Sequence, residues 1–275
     1  MAARRRPFTG ILFILLALLA FVCFFPFYIM IINSTQTNAV LSQQLALVPG
    51  GEFINNYLRM NELVHIWTGF KNSLIIAVSA TALSGYFGAL TAYGFAKFKF
   101  KLSKPLFAVV LSSIIVPPQL AIVGFYDICN KLHLVNSFGS LIIPAIANAS
   151  LVFFVRYYIQ DAVPDSVLES ARLDGCGELK IFNRIVLPMI IPSIATMSIF
   201  TFVNSWNSYL IPLFMLSDDD KYTVPIKVAL AKGVYQNDYG AVYSGIALSI
   251  IPIIIVFSFC SKYIIGGLTA GAVKG

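Results

Sequence analysis

Long runs without a charged side chain alternate with short charged ones along this chain, and the alternation predicts helices that cross a lipid bilayer. Crossing about 30 Å of hydrocarbon takes roughly 20 helical residues. Six segments are apolar over such a length: 9–32, 72–96, 105–126, 138–159, 189–216 and 239–261. The one charge inside them is Arg156, near the end of the fourth. The predicted fold class is all-α, a polytopic membrane protein whose six transmembrane helices form a single domain over 1–275.

The pattern is interrupted in informative places. Pro117 and Pro118 sit in the middle of the third segment. Proline removes a backbone donor and clashes with the turn before it, so this helix is expected to kink or open there. Open backbone within a membrane is tolerated only where protein or a water-filled cavity satisfies it. That puts Gln119 beside a substrate pathway, or else makes the kink a packing device. The longest non-spanning stretch, from Asn33 to about Lys71, is expected to carry a short interfacial helix around Tyr57 to Trp67.

The strongest interruption is 163–188. "VPDSVLESARLDG" starts with Pro164, carries Asp165 and Glu169 early, and stops at Gly175, the usual residue for a left-handed cap. Val167, Leu168 and Ala171 make one face of a short amphipathic helix, leaving Glu169 and Arg172 on others. A second helix starts at Glu178, stacks Leu179, Phe182 and Ile185 at three-to-four spacing, and enters the fifth span past Pro188 and Pro192. Two helices joined at a glycine and rigidly attached to a span suit a partner-binding lever; the alternative is a connector lying on the headgroups.

Charge sets the orientation. Arg4, Arg5, Arg6, Lys97, Lys99, Lys101, Lys104, Arg156, Arg172, Lys180, Arg184, Lys262 and Lys274 share one side, against Arg59, Lys71, Lys131, Lys221, Lys227 and Lys232 on the other. Basic loops stay in the cytoplasm, so both termini are expected there. The net charge of +7 is then a topology signal and requires no nucleic acid. "KFKFKLSK" at 97–104 reads as an inner-surface anchor on membrane lipid. The start of the chain has the basic region of a signal peptide, but its apolar stretch is too long, which makes it a retained first helix. A mean hydropathy of +0.82 and 23 Phe agree with the bilayer as solvent.

Reaction chemistry is sparse. No catalytic residue and no metal ligand set is expected: Cys23, Cys129, Cys176 and Cys260 have no C-x-x-C spacing, and His65 and His133 stand apart in loops. No G-x-x-x-x-G-K-[ST] phosphate loop exists in this chain. The interior of the spans lacks the ionisable residues that mark ion-coupled carriers. It offers neutral polar and aromatic groups instead: Asn148, Asn204, Trp206, Asn207 and Tyr209. Asn side chains both donate and accept, and rings stack on sugar faces, so "NSWNSY" suits a hydroxyl-rich neutral ligand. Interhelical hydrogen bonding with an interfacial aromatic belt is the competing reading.

The segment Glu169, Ser170, Ala171, Gly175, Ile185, Leu187, Pro188 resembles the cytoplasmic "EAA" coupling loop of permeases of ABC importers, with Asp174 and Phe182 also fitting. Ser170 and Cys176 depart from it, small for small. "VPPQLAIVGFYDICNKLHLVNSFGSLIIP", "FVNSWNSYLIPLFML" and "GGLTAGAVKG" extend the likeness to the carbohydrate (maltose-type) permeases, second six-span subunit. The resemblance implies sugar import by alternating access, in a heterodimer with a homologous permease. It also implies two cytoplasmic ATPase subunits that bind ATP and Mg, an extracytoplasmic binding protein, and no cofactor in this chain. Glu169 would touch the ATPase, Ala171 would allow close approach, and Gly175 would form the bend. Permeases for glycerol phosphate or polyamines share the loop; an ion-coupled carrier and a non-transporting scaffold are the other classes.

Overall fold

In the computed structural model, residues 7–234 and 238–272 are described, with side chains for 10–232 and 238–261. The basic side chains at 4–6, 262 and 274, and the closing 266–275 motif, lie outside the described side chains. Among the described residues there are helices and turns but no strand. Five helices are long and apolar enough to span a membrane, six when a bent pair is counted as one.

That bent pair is the third segment. Ser103–Ile115 and Pro118–Lys131 meet at 96°. Val116 and Pro117 each precede a proline and are extended (ψ 118° and 125°), the conformation that a following ring imposes. The kink expected from the two prolines is therefore a right-angled break.

Two compact units partition the chain: Met1–Ile66 with Lys227–Ile251, and Trp67–Ile226 with Pro252–Gly275. In the first unit, the helix Pro7–Asn33 leaves its apolar sides uncovered, as a lipid-facing helix does. The expected short helix of the outer segment is Phe53–Val64, ending at a left-handed His65 (φ 48°). It packs on Tyr239–Ser249, whose N-terminus is capped by Asp238 accepting from the Ala241 N–H. Close approach there depends on Gly240, where a Cβ would fall 2.5 Å from Asn56 Oδ1. Asn56 is fully buried and donates to the Ser34 and Gln36 carbonyls at 2.8 and 2.9 Å. Small residues that let backbones meet are the usual glue of membrane helices.

In the second unit, Ile66–Lys97 runs through 32 residues and carries the buried stripe Ala89, Ala92 and Tyr93. These pack with Leu151, Val152, Val155 and Ile159 of Ala149–Ala162, and with Ile181, Phe182, Val186 and Ile190. The expected fifth span, 189–216, is displaced. Its continuous helical stretch covers Glu178–Trp206, and a separate helix, Leu210–Met215, follows. The charged residues Lys180 and Arg184 are tolerated because they lie on exposed positions of the first turns.

Candidate functional site

Two features of the second unit bear on function, and both grow from the same helices. The first is the loop between Ala149–Ala162 and Leu187–Trp206. Asp165–Leu173 forms the expected short helix, with Asp165 in its first turn and Arg172 in its last, each favourable to the helix dipole. Gly175 takes φ +76° and closes a Schellman turn: the Gly175 N–H donates to the Arg172 carbonyl and the Cys176 N–H to the Ala171 carbonyl, both at 3.0 Å.

The buried side of this helix is Leu168 and Ala171, at 1% and 6% exposure; Val167, grouped with them from the sequence, points outward at 37%. Glu169, Ser170, Asp174 and Gly175 are exposed, and Leu173 is 88% exposed. Phe182 is fully buried between Tyr86 and Tyr93, Ile185 and Leu187 are half-buried, and Pro188 is exposed. Phe182–Val186 forms a π turn, in which the Leu187 N–H donates to the Phe182 carbonyl. The wide turn absorbs one extra residue just before Pro188, a type of irregularity frequent at functional positions.

Polar contacts clamp this loop to the end of Ile66–Lys97. Lys97 Nζ, on a side chain 8% exposed, donates to the Val163 carbonyl and to Asp165 Oδ1, both at 2.6 Å. The ammonium beside it holds the Asp165 carboxyl below its ordinary value. Arg172 Nε donates to Glu178 Oε1 at 2.7 Å, drawing the two short helices together across Gly175, and Tyr93 Oη donates to Glu178 Oε2 at 2.9 Å. The Arg156 guanidinium lies 4.1 Å from the centre of the Phe107 ring, so this charge is held over an aromatic face.

The second feature is a cavity of about 460 Å³, which lies at the proline break. Pro118, Ala121, Ile122 and Phe125 line one side, Thr201, Asn204, Ser205 and Ser208 another. Its lining carries hydroxyls and amides on an apolar wall and no ionisable side chain. Asn148 caps Ala149–Ala162 by accepting from the Leu151 N–H, and donates to Thr201 Oγ1 at 3.1 Å. It is at once an interhelical tie and a cavity residue.

The other candidate pathway residues are placed differently. Gln119 is exposed in the one-turn helix Pro118–Ala121 and does not line the cavity, although its neighbours do. Trp206 is 1% exposed, stacked on Phe202 and edge-on to Phe70. Asn207 ends the helix by donating its N–H to the Val203 and Ser205 carbonyls, and Tyr209, 37% exposed, precedes Leu210–Met215. Of "NSWNSY", the cavity takes Asn204, Ser205 and Ser208. Thr201, Asn204 and Ser205 share one face of the helix and Ser208 follows just past its end, a signal that a reading of the motif as one block passes over.

With this geometry in view, residues 84–269 match the family described as "Binding-protein-dependent transport system inner membrane component". The chain belongs to that family. This permease component is 35% identical over 263 residues to the arabinooligosaccharides transport system permease protein of Halalkalibacterium halodurans, covering 94% of each chain. It is 32% identical over 277 residues to the melibiose/raffinose/stachyose import permease protein of Bacillus subtilis, covering 100% of each. The trehalose/maltose transport system permease protein of Thermococcus litoralis is 32% identical over 267 residues, with 94% of each chain covered. In fold, the permease matches a chain of a bacterial ABC transporter involved in the import of the acidic polysaccharide alginate, with a TM-score of 0.80 at 22% identity over 96% of this chain and 99% of that one. It is accordingly a multi-pass membrane protein and a transport component.

Proposed function

We propose that this chain is one of two homologous permease subunits of an ATP-driven importer of neutral sugars or oligosaccharides in the cytoplasmic (inner) membrane, with both termini in the cytoplasm. A solute-binding protein delivers the sugar on the outer side. Two ATPase subunits bind ATP and Mg and hydrolyse the nucleotide on the inner side. The observation that carries the substrate class is the cavity at the proline break, whose amide and hydroxyl groups stand on apolar walls without a charge. The sugar names of the relatives support it.

The 163–188 loop is the transmission in this reading. Glu169 and Leu173, one helical turn apart and both exposed, present a carboxylate and an apolar side chain to the ATPase. Movement imposed there travels by two routes. One runs through the π turn into Leu187–Trp206, which carries Thr201, Asn204 and Ser205 of the cavity. The other runs through Lys97 and Tyr93 into Ile66–Lys97, which carries Ile76 and Ala80 of the same cavity. Both walls are therefore driven from a single docking face.

The test is uptake of labelled neutral oligosaccharides into vesicles holding the permease pair, the ATPases and the binding protein. Sugar accumulation that requires internal ATP and falls with Asn204→Ala supports the proposal. Accumulation by this chain alone, driven by an ion gradient without ATP, overturns it.

A further inference from the structure

Import by alternating access, as proposed above, requires one rim of the cavity to move. The connector after Trp206 supplies Ser208, Ile211, Pro212 and Thr223 to the lining; Ile122, Phe125, Ser140 and Leu141 face them from the segment before Asn148. One residue ties the two sides together. Asn136 holds a left-handed backbone (φ 58°), and its N–H donates to the Met215 carbonyl at 2.6 Å. Its Nδ2 donates to Asp218 Oδ2 at 2.7 Å, while its Oδ1 accepts from the Ser217 and Asp218 N–H groups at 3.1 and 3.3 Å. Lys221 Nζ donates to the same Asp218 Oδ2 at 2.8 Å.

The far edge of the connector is fastened by another asparagine. Asn72 Nδ2 donates to the Asp220 and Tyr222 carbonyls at 2.8 and 3.0 Å, and Ser73 Oγ accepts from the Val224 N–H at 2.9 Å. The two fastenings differ in what replaces them when they open. Asn72 and Ser73 are 4% and 3% exposed, so breaking their bonds strands polar groups in a dry setting. The side-chain bonds of Asn136 are exposed, so water replaces them at a cost below that of stranding Asn72 and Ser73.

We infer that Asn136 is a positioning residue for transport: it latches the 215–218 segment of the connector across the cavity rim, and Asn72 with Ser73 forms the fixed edge about which the connector turns as that rim opens. The inference rests on the transporter reading above but not on the identity of the solute. The left-handed backbone explains the residue type, since asparagine tolerates that conformation and carries both a donor and an acceptor.

The test uses the assembled transporter in nanodiscs, with Cys23, Cys129, Cys176 and Cys260 replaced and Ser208→Cys as the reporter of cavity access to a membrane-impermeant maleimide. Asn136→Gly keeps the backbone and removes the side-chain bonds. Asn136→Asp sets a carboxylate against Asp218, and N136D/D218N restores a donor opposite an acceptor with the positions exchanged. Labelling is expected to be about tenfold faster in Asn136→Gly and Asn136→Asp, equivalent to ~1.4 kcal/mol, and to return to within about twofold of the parent in the double variant. Equal rates in Asn136→Gly and the parent overturn the latch, as does a double variant that labels as fast as Asn136→Asp. Labelling requires no sugar, so a wrong substrate assignment leaves this readout intact.

Discussion

Replacement of Gly175 separates backbone conformation from contact, because the space around it is open. A Cβ built there meets nothing within 4 Å, so a side chain is opposed only by the φ of +76°. For an L-residue that conformation costs about 1–2 kcal/mol, with β-branched residues at the upper end and asparagine well below it. At ~2 kcal/mol, Gly175→Val leaves the Schellman turn populated about thirtyfold less, by the factor of ten per 1.4 kcal/mol. The turn positions Glu169 and Leu173 relative to the helix that begins at Glu178, so its loss disperses the docking face. The assay is the affinity of the ATPase pair for the permease pair in nanodiscs, with Gly175→Asn alongside. The expected order is Gly, then Asn within about threefold, then Val weaker by about ten- to thirtyfold. Equal weakening by Asn and Val refutes the conformational argument, and undiminished affinity in Gly175→Val removes the turn from the coupling mechanism.

Three further outcomes follow from specific contacts. Lys97→Met keeps the aliphatic stem and strands the Val163 carbonyl; the expected loss is about 1–3 kcal/mol of local stability, read as faster amide exchange over 163–173, and unchanged exchange there counts against the clamp. Gly240→Ala forces a Cβ onto Asn56, which two carbonyls hold in place; a loss of about 1–3 kcal/mol lowers the Tm of the detergent-solubilised chain, whereas Gly124→Ala, in a helix with nothing within 4 Å of the added Cβ, does not lower it. Asp238 gives a pH dependence: burial raises its carboxyl, but Arg59, the Ala241 N–H and the Asn38 amide outweigh this and hold it below the ordinary value. A depressed carboxyl contributes fully above its unfolded value of about 3.9 and loses that contribution as pH falls through the folded one. Amide exchange at 239–249 is therefore expected to accelerate on acidification through that window, and by less in Arg59→Met, where the carboxyl lies nearer its unfolded value.

What the sequence makes legible is decided by how local the cause is. The break at Pro117 and Pro118 is readable because a proline restricts its own residue and the one before it. The turn at Gly175 is readable for the same reason, and so is the short helix before it. The end of the fifth span is not, because no glycine or proline directly follows Trp206; Asn207, Ser208 and Tyr209 interrupt the helix amid a run still apolar enough to look continuous. The π turn at Phe182–Val186 leaves no pattern in composition at all. The sequence leaves Trp206 open between a ligand-facing ring and an interhelical one, and Phe70 and Phe202 from the same unit bury it. The roles of Lys97, Tyr93 and Asn136 depend on partners 66 to 85 residues away, a separation beyond any local periodicity.

The right-angled break in the third apolar segment also bears on how the protein is made. At 1.5 Å per residue, the 13 residues of Ser103–Ile115 reach about 20 Å, short of the roughly 30 Å that a spanning helix needs. An insertion channel reading the chain in order meets 105–126 as one apolar stretch of ordinary length, before Ala149–Ala162 and Leu187–Trp206 exist to shelter an opened backbone. The prolines restrict Val116 and Pro117 from the start, so the opened backbone is expected to stay unsheltered until those later helices arrive. A ribosome-stalled chain ending before residue 149 is therefore expected to hold the third segment in the bilayer less firmly than the full chain does.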